Sequence, residues 1–444
     1  MNDQERSITS APDAHVASLV DRFLAVRGAT EDWIRQLEPG DFVLQSMPDA
    51  SPIGWHLAHT TWFFEEFLLG ALDPAYRAFH PSYQFLFNSY YEAVGERVAR
   101  HRRGMLSRPT APQILDYREH VNAQVAALAP TLEGDARDRA IKVIGIGIQH
   151  EQQHQELMAT DLKHAFAQNP MLPAISDTQR VAEPSSGFVA EPLGFQRFAE
   201  GLYSIGVDRP EGADAFAFDN EGPRHRVFLQ AFELGCRPVT NAEWLAFMEA
   251  GGYERPEHWL SAGWARATDR EDRWVSPLYW RRDADRGWVQ FTAHGEEAVD
   301  PEGTVTHISY YEADAFARWS GCRLPTEFEW EVACAHQPSG ERGRFRESGA
   351  FHPGRAAALG QGLHRMLGDT WEWTSSAYAA YPGFSTDEGA LGEYNGKFMS
   401  GQFILRGGSC ATPQSHIRPT YRNFFPPDAR WQFSGLRLAR NVTQ

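Results

Sequence analysis

Two histidines four positions apart are the first candidates for chemistry in this sequence: His150 and His154 in HEQQHQE, residues 150–156. No proline or glycine interrupts the segment, so it can form an α-helix. Residues i and i+4 lie one above the other on a helix, and the two imidazoles can then face one cation. Because such pairs also occur as solvated or core histidines, a metal site here needs ligands from elsewhere in the chain.

A second histidine pair, His56 and His59, lies in WHLAHTTWFF, residues 55–64, among tryptophan and phenylalanine side chains. Facing helices of a bundle commonly share one metal, so this segment predicts the third ligand. Three neutral imidazoles without cysteine suit Fe(II), Zn or Cu and leave coordination positions for substrate. The histidines alone do not choose the metal.

Two polar residues near His154 differ in what their spacing allows. Gln153 follows His150 by three positions, so it points near the metal and could hydrogen-bond a polar ring of the substrate; a solvated glutamine fits the pattern equally well. Glu156 lies about 200° around the helix from His154. We therefore expect Glu156 to make an ordinary surface or inter-helix contact.

Two adjacent phenols, Tyr90 and Tyr91, lie in NSYYEAVGER between the second and third predicted helices, and the basic run RVARHRRG, which contains Arg103, begins at the end of that segment. A phenol near a metal can donate a proton or hydrogen atom to bound oxygen, and an arginine can form a bidentate pair with a carboxylate. Without further context, packed loop tyrosines and a solvated charge run explain the motif better.

Four amphipathic segments account for most of the first 170 residues and predict a four-helix bundle. The first contains HVASLVDRFLAV, the second starts at Ser-Pro and ends at Gly70, the third is APQILDYREHVNAQVAALA, and the fourth runs from about residue 135 to 168. We assign residues 13–170 to this bundle.

The composition and the hydrophobic periodicity of the sequence change after the predicted bundle. Residues 171–192 mix proline, serine and small residues without periodicity, which is typical of a linker. Residues 193–442 contain short apolar stretches such as GLYSIGV and FILRGGSC between many Gly and Pro turns, with helical patterns in TNAEWLAFMEAGG and SYYEADAFARWSG. This second region predicts a loop-rich α+β domain.

Composition limits the class of function. The chain has 444 residues, of which 42% are hydrophobic, and a formal net charge of −16. This charge argues against a nucleic-acid or anionic-membrane surface and favours a small-molecule substrate. The four scattered cysteines predict free thiols, and the absence of a secretory signal or an apolar run of about 18 residues predicts a cytoplasmic protein without a membrane span.

Together these segments resemble the ergothioneine-biosynthesis sulfoxide synthases, also called hercynine oxygenases. SPIGWHLAHTTWFFEEFLL followed by HEQQHQE is similar to their DinB-like four-helix domain. HISYYEADAFARWSGCRLPTEFEWEVA, GDTWEWTSSAYAAYPGF and YRNFFPPDARWQFSGLRLAR are similar to the formylglycine-generating-enzyme-like, C-type-lectin-related domain fused to it. The resemblance extends from about residue 13 to 440 and implies both folds.

The resemblance implies a mononuclear non-haem Fe(II) bound by His59, His150 and His154, with His56 behind the ligands or packing nearby. Such an enzyme binds hercynine, the betaine of trimethylated histidine, together with a thiol. It uses O2 to join the sulfur to C2 of the imidazole and to oxidise that sulfur to a sulfoxide.

The branches of this family differ in the tyrosine near the iron. Tyr378, in WTSSAYAAYPG, matches the tyrosine of the γ-glutamylcysteine-using branch, whereas Tyr90 and Tyr91 match those of a cysteine-using branch. Phe424 and Phe425 stand where the γ-glutamylcysteine branch carries Trp-Asp. The loss of that carboxylate favours a smaller thiol donor, free cysteine. It also favours Tyr90 and Tyr91 over Tyr378 as the tyrosines near the iron.

Other positions match substrate contacts of the family. Gln153 and Asn423 correspond to residues on the imidazole side of the substrate, and Phe424 to a pocket wall. Arg103 is a further candidate for substrate binding, and whether it or a neighbouring arginine holds the donor carboxylate stays open. Aromatic walls suit the quaternary ammonium of hercynine. Only Cys410 lies where formylglycine-generating enzymes carry paired cysteines, so we expect no copper chemistry from the second domain.

Alternatives remain open from the sequence. A close variant would use a selenosugar as donor, making a selenoneine synthase, or unmethylated histidine as acceptor. A different class would be a non-catalytic module that binds a ligand or polypeptide, although such a scaffold would need no histidine ligands. A zinc-dependent thiol transferase would use the same bundle site without consuming O2.

Overall fold

The computed structural model describes residues 11–175, 192–208, 216–336, 341–355, 362–386 and 390–442. The described chain forms two compact units. The first contains the residues up to Leu162 together with Phe216, and the second contains the other residues from Lys163 onward. Most of the predicted linker, residues 171–192, lies outside the described residues.

Four long helices dominate the first unit, which confirms the predicted helical bundle. They are α1 Ala11–Ile34, α2 Ile53–Phe64, α5 Ala111–Leu128 and α6 Gly134–Ala167, whose last five residues belong to the second unit. A π-helical turn, Glu65–Leu69, and α3 Gly70–Leu72 continue α2, so the helical run ends two residues beyond the predicted glycine stop. The short α4 Tyr83–Phe87 follows.

A buried ion-pair network fixes the rotation of α6 in the bundle. Glu151 accepts hydrogen bonds from Arg27 on α1 at 3.2 Å, from Arg118 on α5 at 2.6 Å and from Thr30 at 2.7 Å. Successive helical residues point about 100° apart. With Glu151 held towards α1 and α5, its neighbour His150 faces α2.

The second unit is a loop-rich assembly of small sheets and short helices, which confirms the predicted α+β class. In chain order the strands are β1 Phe195–Phe198, β2 Gly201–Ile205, β3 His225–Leu229, β4 Phe232–Gly235, β5 Trp280–Asp283, β6 Gly287–Thr292, β7 Gly295–Ala298, β8 Trp371–Ala377, β9 Phe403–Arg406, β10 Asn423–Phe425, β11 Ser434–Gly435 and β12 Ala439–Asn441. These strands form the sheets β1-β4-β12, β10-β9-β8-β11, β2-β3 and β5-β6-β7.

Four helices accompany these sheets: α7 Asn241–Glu249, α8 Ser261–Ala267, α9 Tyr310–Trp319 and α10 Glu327–His336. Thr240 and Ser309 cap α7 and α9 by accepting backbone N–H groups of the first turn. The core of this unit gathers Trp330, Phe232, Leu234 and their neighbours around β4 and α10.

All four cysteines are free thiols, as predicted. Among the described residues, no helix is both long enough and apolar enough to cross a lipid bilayer.

Candidate metal centre

Three histidines from two helices converge in the first unit. His59 projects from α2, while His150 and His154 project from α6, and one potential ligand atom of each lies within 4.8 Å of the others. All three are buried, with exposures of 0%, 2% and 8%. The i, i+4 spacing on α6 and the rotation set by Glu151 together bring the pair opposite α2.

His59 presents its Nε2 atom to this group. Its Nδ1 lies 2.6 Å from the carbonyl oxygen of Phe87. A carbonyl only accepts hydrogen bonds, so Nδ1 carries the proton and Nε2 carries the lone pair. Nε2 is buried and has no hydrogen-bond partner among the described residues, which is the state of a nitrogen ready to bind a metal.

His154 is in contact with the other α2 histidine. Its Nδ1 lies 2.7 Å from Nδ1 of His56, and Nε2 of His56 lies 3.0 Å from Oδ2 of Asp161. His56 is therefore adjacent to the group without belonging to it. This agrees with the position behind the ligands that the resemblance implies.

The three imidazoles are neutral at physiological pH. Burial lowers the pKa of His150 to about 3, although the nearby charge of Glu151 acts in the opposite direction. Burial, assisted by repulsion from His150, lowers the pKa of His59 and of His154 well below the ordinary histidine range. Metal ions bind neutral imidazole, so no proton has to leave before a cation enters.

Aromatic rings enclose the histidines. Trp55 stacks on His59 with ring centroids 4.6 Å apart, and Trp62 stacks on His59 at 5.7 Å. Phe63 meets the ring of His150 at 5.0 Å. These rings exclude water and lower the local dielectric constant, which strengthens electrostatic interactions at the site.

Arg103 is a buried cation beside this aromatic wall. Its guanidinium carbon lies 3.3 Å from the centroid of the Trp55 ring, and it donates hydrogen bonds to the hydroxyls of Ser51 at 2.9 Å and Ser89 at 3.2 Å. Among the described residues it forms no ion pair with a carboxylate. Burial, with repulsion from Arg100, lowers the pKa of Arg103 to about 8. Such a guanidinium gains from binding an anion.

Of the remaining first-unit candidates, the two tyrosines lie near the same rings. Tyr91 is fully buried and packs against Trp62 with centroids 5.8 Å apart, and its hydroxyl lies 3.4 Å from that of the half-buried Tyr90. Gln153 is half-buried on α6. Glu156 is buried rather than at the surface.

The second-unit candidates form a cluster of their own. The hydroxyl of Tyr378 accepts a hydrogen bond from Asn220 at 2.9 Å, and Phe424 stacks on the Tyr378 ring with centroids 4.1 Å apart. Asn423 is half-buried at the start of β10, and its side-chain oxygen accepts from the backbone N–H of Phe424 at 2.9 Å. Burial raises the pKa of Tyr378 above the range in which it ionises in water.

Asp161 is a residue that the sequence analysis missed. It follows His154 by seven positions, which returns to the same side of α6 within roughly 20°. That spacing was a usable signal, because carboxylates often hydrogen-bond histidines behind a metal site. The contact with His56 itself depends on the packing of α2 against α6.

Two family models match the chain. The DinB superfamily model matches residues 22–158, and the model of the sulfatase-modifying factor enzyme 1-like domain matches residues 197–361 and 348–442. A formylglycine-generating enzyme of Streptomyces coelicolor is 27% identical, and its alignment covers 59% of this chain and 96% of that protein.

Proteins that combine both regions are similar over nearly the whole chain. A hercynine oxygenase of Mycolicibacterium thermoresistibile is 32% identical, with 98% of this chain and 97% of that protein covered. A hercynine oxygenase of Mycolicibacterium smegmatis is also 32% identical, with 93% and 97% covered. With both domains matched in order and at this identity, the chain belongs to the hercynine oxygenase family.

Proposed function

We propose that this protein is an iron(II)- and O2-dependent sulfoxide synthase of ergothioneine biosynthesis, which joins the sulfur of cysteine to C2 of the hercynine imidazole. The observation that carries the proposal is the buried three-histidine group, in a chain 32% identical to a hercynine oxygenase. In the net reaction the C2–H and S–H bonds break and the C2–S and S–O bonds form. Dioxygen supplies the sulfoxide oxygen and the oxygen of one water molecule.

Iron(II) fits the donor set of the site. His59, His150 and His154 would hold it through neutral nitrogens, and three protein ligands leave coordination positions for reactants. When bound, the iron would supply the redox chemistry that couples O2 to C–S bond formation. The buried aromatic surround keeps bulk water away from the reactants.

The side chains around the histidines are suited to the two organic substrates. The aromatic surround of the histidines, which includes Trp55 and Trp62, would favour the trimethylammonium group of hercynine. Gln153, half-buried on α6, would hydrogen-bond the imidazole, and Arg103, which lacks a carboxylate partner among the described residues, would pair with the carboxylate of cysteine. We retain Asn423 and Phe424 as further candidate substrate contacts on the basis of the resemblance.

The proton donor is proposed to be the pair Tyr90 and Tyr91. The contact of Tyr91 with Trp62, which stacks on His59, supports this choice, and the neighbouring hydroxyl of Tyr90 can replace a proton lost from Tyr91. Tyr91→Phe should lower kcat by about 10²- to 10⁴-fold without changing iron affinity. The matched control Tyr378→Phe should retain most activity; the reverse pattern would assign the proton donor to Tyr378.

The overall reaction is tested with enzyme loaded with Fe(II) under anaerobic conditions. It is mixed with hercynine, O2 and one donor at a time: cysteine, γ-glutamylcysteine or a selenosugar. Mass spectrometry should find hercynyl-cysteine sulfoxide with cysteine, accompanied by O2 uptake that zinc-loaded enzyme does not show. Product with only another donor would overturn the choice of cysteine, and no product with any donor would overturn the synthase assignment.

We place this activity in the cytoplasm. Four free thiols persist most readily in a reducing compartment, which supports this location. Fractionation of the native host, followed by detection of the protein with an antibody, tests the assignment directly.

A further inference from the structure

We infer that Asp161 and His56 are positioning residues that fix the tautomer of His154 and so aim its Nε2 at the metal. The role of this pair rests on the proposed metal site, whereas the tautomer itself is a property of the metal-free protein. Neither residue is one of the three candidate ligands. Both are buried, with exposures of 6% and 3%, so water competes little for their hydrogen bonds.

The direction of each hydrogen bond follows from the carboxylate. Oδ2 of Asp161 is a carboxylate acceptor, so Nε2 of His56 carries a proton and donates it across 3.0 Å. An imidazole that carries a single proton has a lone pair on its other nitrogen, so Nδ1 of His56 then accepts. It lies 2.7 Å from Nδ1 of His154, which must therefore be the donor.

This chain of donors leaves Nε2 of His154 without a proton. In the opposite tautomer of His154, two nitrogen lone pairs would meet at 2.7 Å, which is repulsive. His59 is arranged in the same way, because its Nδ1 donates to the carbonyl oxygen of Phe87 and its Nε2 is left without a proton. Two of the three candidate ligands thus have their protonated nitrogen fixed by a neighbour.

Asp161 is itself held in place at the other end. The backbone N–H of Ser51, two residues before α2, donates to Oδ2 of Asp161 at 2.8 Å. The hydroxyl of Ser51 accepts from Arg103 at 2.9 Å, which brings a positive charge towards the carboxylate. The acceptor is therefore preorganised by residues outside the histidine group, and removing it should release both histidine rings.

The tautomer is tested in the metal-free protein by side-chain ¹⁵N spectra of histidine-labelled enzyme. A His154→Gln variant identifies the signals of His154. Wild type should show His154 protonated at Nδ1, and Asp161→Asn and His56→Leu should shift it towards a mixture of tautomers. A wild-type His154 protonated at Nε2 would overturn the inference.

The consequence for the metal is tested by anaerobic titration with Fe(II) and with Co(II), whose visible spectrum reports ligand geometry. Asp161→Asn and His56→Leu should bind both ions about 10- to 100-fold more weakly than wild type, with an altered Co(II) spectrum. Wild-type affinity and spectrum in both variants would also overturn the inference.

A matched control separates positioning from general loss of stability. Gln155, next to His154 on α6, donates to Val26 O at 3.0 Å and to Thr30 Oγ1 at 2.9 Å, away from the histidine group. Gln155→Met should lower the urea midpoint of the metal-free protein but keep wild-type metal affinity. If Gln155→Met weakens binding as much as Asp161→Asn does, the effect is structural and the inference fails.

The two proposals fail in different ways. If wild type binds no Fe(II) stoichiometrically, the proposed function is wrong, while the ¹⁵N spectra still decide the tautomer. If wild type binds iron and forms product but the two variants match it in affinity and spectrum, only the positioning role is wrong.

Discussion

Two glycines on α6 should respond in opposite ways to the same substitution. A Cβ added at Gly147 would lie 2.3 Å from Cζ of Phe64 and 3.1 Å from Cε1 of Phe63. Among the described residues, a Cβ at Gly145 would meet only Cδ2 of Phe216, at 3.9 Å. The optimum separation of two carbons is about 3.5–4.0 Å, so Gly145→Ala fits and Gly147→Ala overlaps its neighbours.

The expected magnitudes follow from helix propensity and packing. Replacing glycine by alanine in a helix contributes about 0.5–1 kcal/mol, and Gly145→Ala should show this gain. At Gly147 the overlap costs roughly 1–3 kcal/mol, because the fully buried Phe64 is held by Phe23, with ring centroids 4.7 Å apart. Gly147→Ala should therefore be less stable than wild type by up to about 2.5 kcal/mol, and less stable than Gly145→Ala by about 1–3 kcal/mol.

The assay is equilibrium urea unfolding of the full chain, followed by far-UV circular dichroism. The change in midpoint at constant m-value gives the difference in unfolding free energy. The pair is internally controlled, since both substitutions add one methyl group to the same helix. If Gly147→Ala proved as stable as Gly145→Ala, the close packing of α6 against the aromatic face of α2 would be refuted.

Three further results are expected. Burial raises the pKa of Glu151, but the positive charges of Arg118 and Arg27 outweigh it and lower this pKa to about 2. The ionised Glu151 therefore stabilises the folded protein fully above about pH 4.5, and this contribution is lost as the pH falls towards 2. Glu151→Gln should cost about 3–5 kcal/mol at pH 7 and much less near pH 2, measured by urea unfolding; an equal cost at both would contradict the ion-pair argument. Burial lowers the pKa of Lys163 to about 7, so between about pH 7 and pH 10 the unfolded chain binds a proton that the folded protein does not. The free energy of unfolding of the wild type should therefore rise over this range, and that of Lys163→Met should rise less. Thermal unfolding across the range measures both. Saturating Co(II) at about 100 times its Kd should stabilise wild type by about 2.7 kcal/mol and leave His150→Ala unchanged in calorimetry; stabilisation of the variant would place the ion elsewhere.

Local sequence features were sufficient to predict much of the fold. The periodicity of the first region predicted its four long helices, because an amphipathic stripe and the signals at helix ends act within a few residues. Capping threonine and serine residues likewise marked α7 and α9. The π-helical turn after α2 was not foreseen, since Glu65 is held there by the distant Tyr117, whose hydroxyl donates to it at 2.5 Å.

The candidate site likewise has a part that follows from local sequence and a part that depends on tertiary packing. The spacing of His150 and His154 was sufficient to place both on one side of a helix, as it depends only on helix geometry. The choice between His56 and His59 could not be made from spacing, because it depends on how α2 is rotated against α6. The contact of Arg103 with Trp55 and the hydrogen bond from His56 to Asp161 also join residues far apart in sequence.

What the sequence determined by itself is therefore the set of ligand-type side chains and the helices that carry them, since both follow from residue identity and local periodicity. Only the tertiary structure decided which nitrogen atoms meet, which of them keep their protons and which charges are buried with them. The physical reason is that hydrogen-bond direction and desolvation depend on neighbours brought together by packing, such as Phe87 beside His59 and Asp161 beside His56.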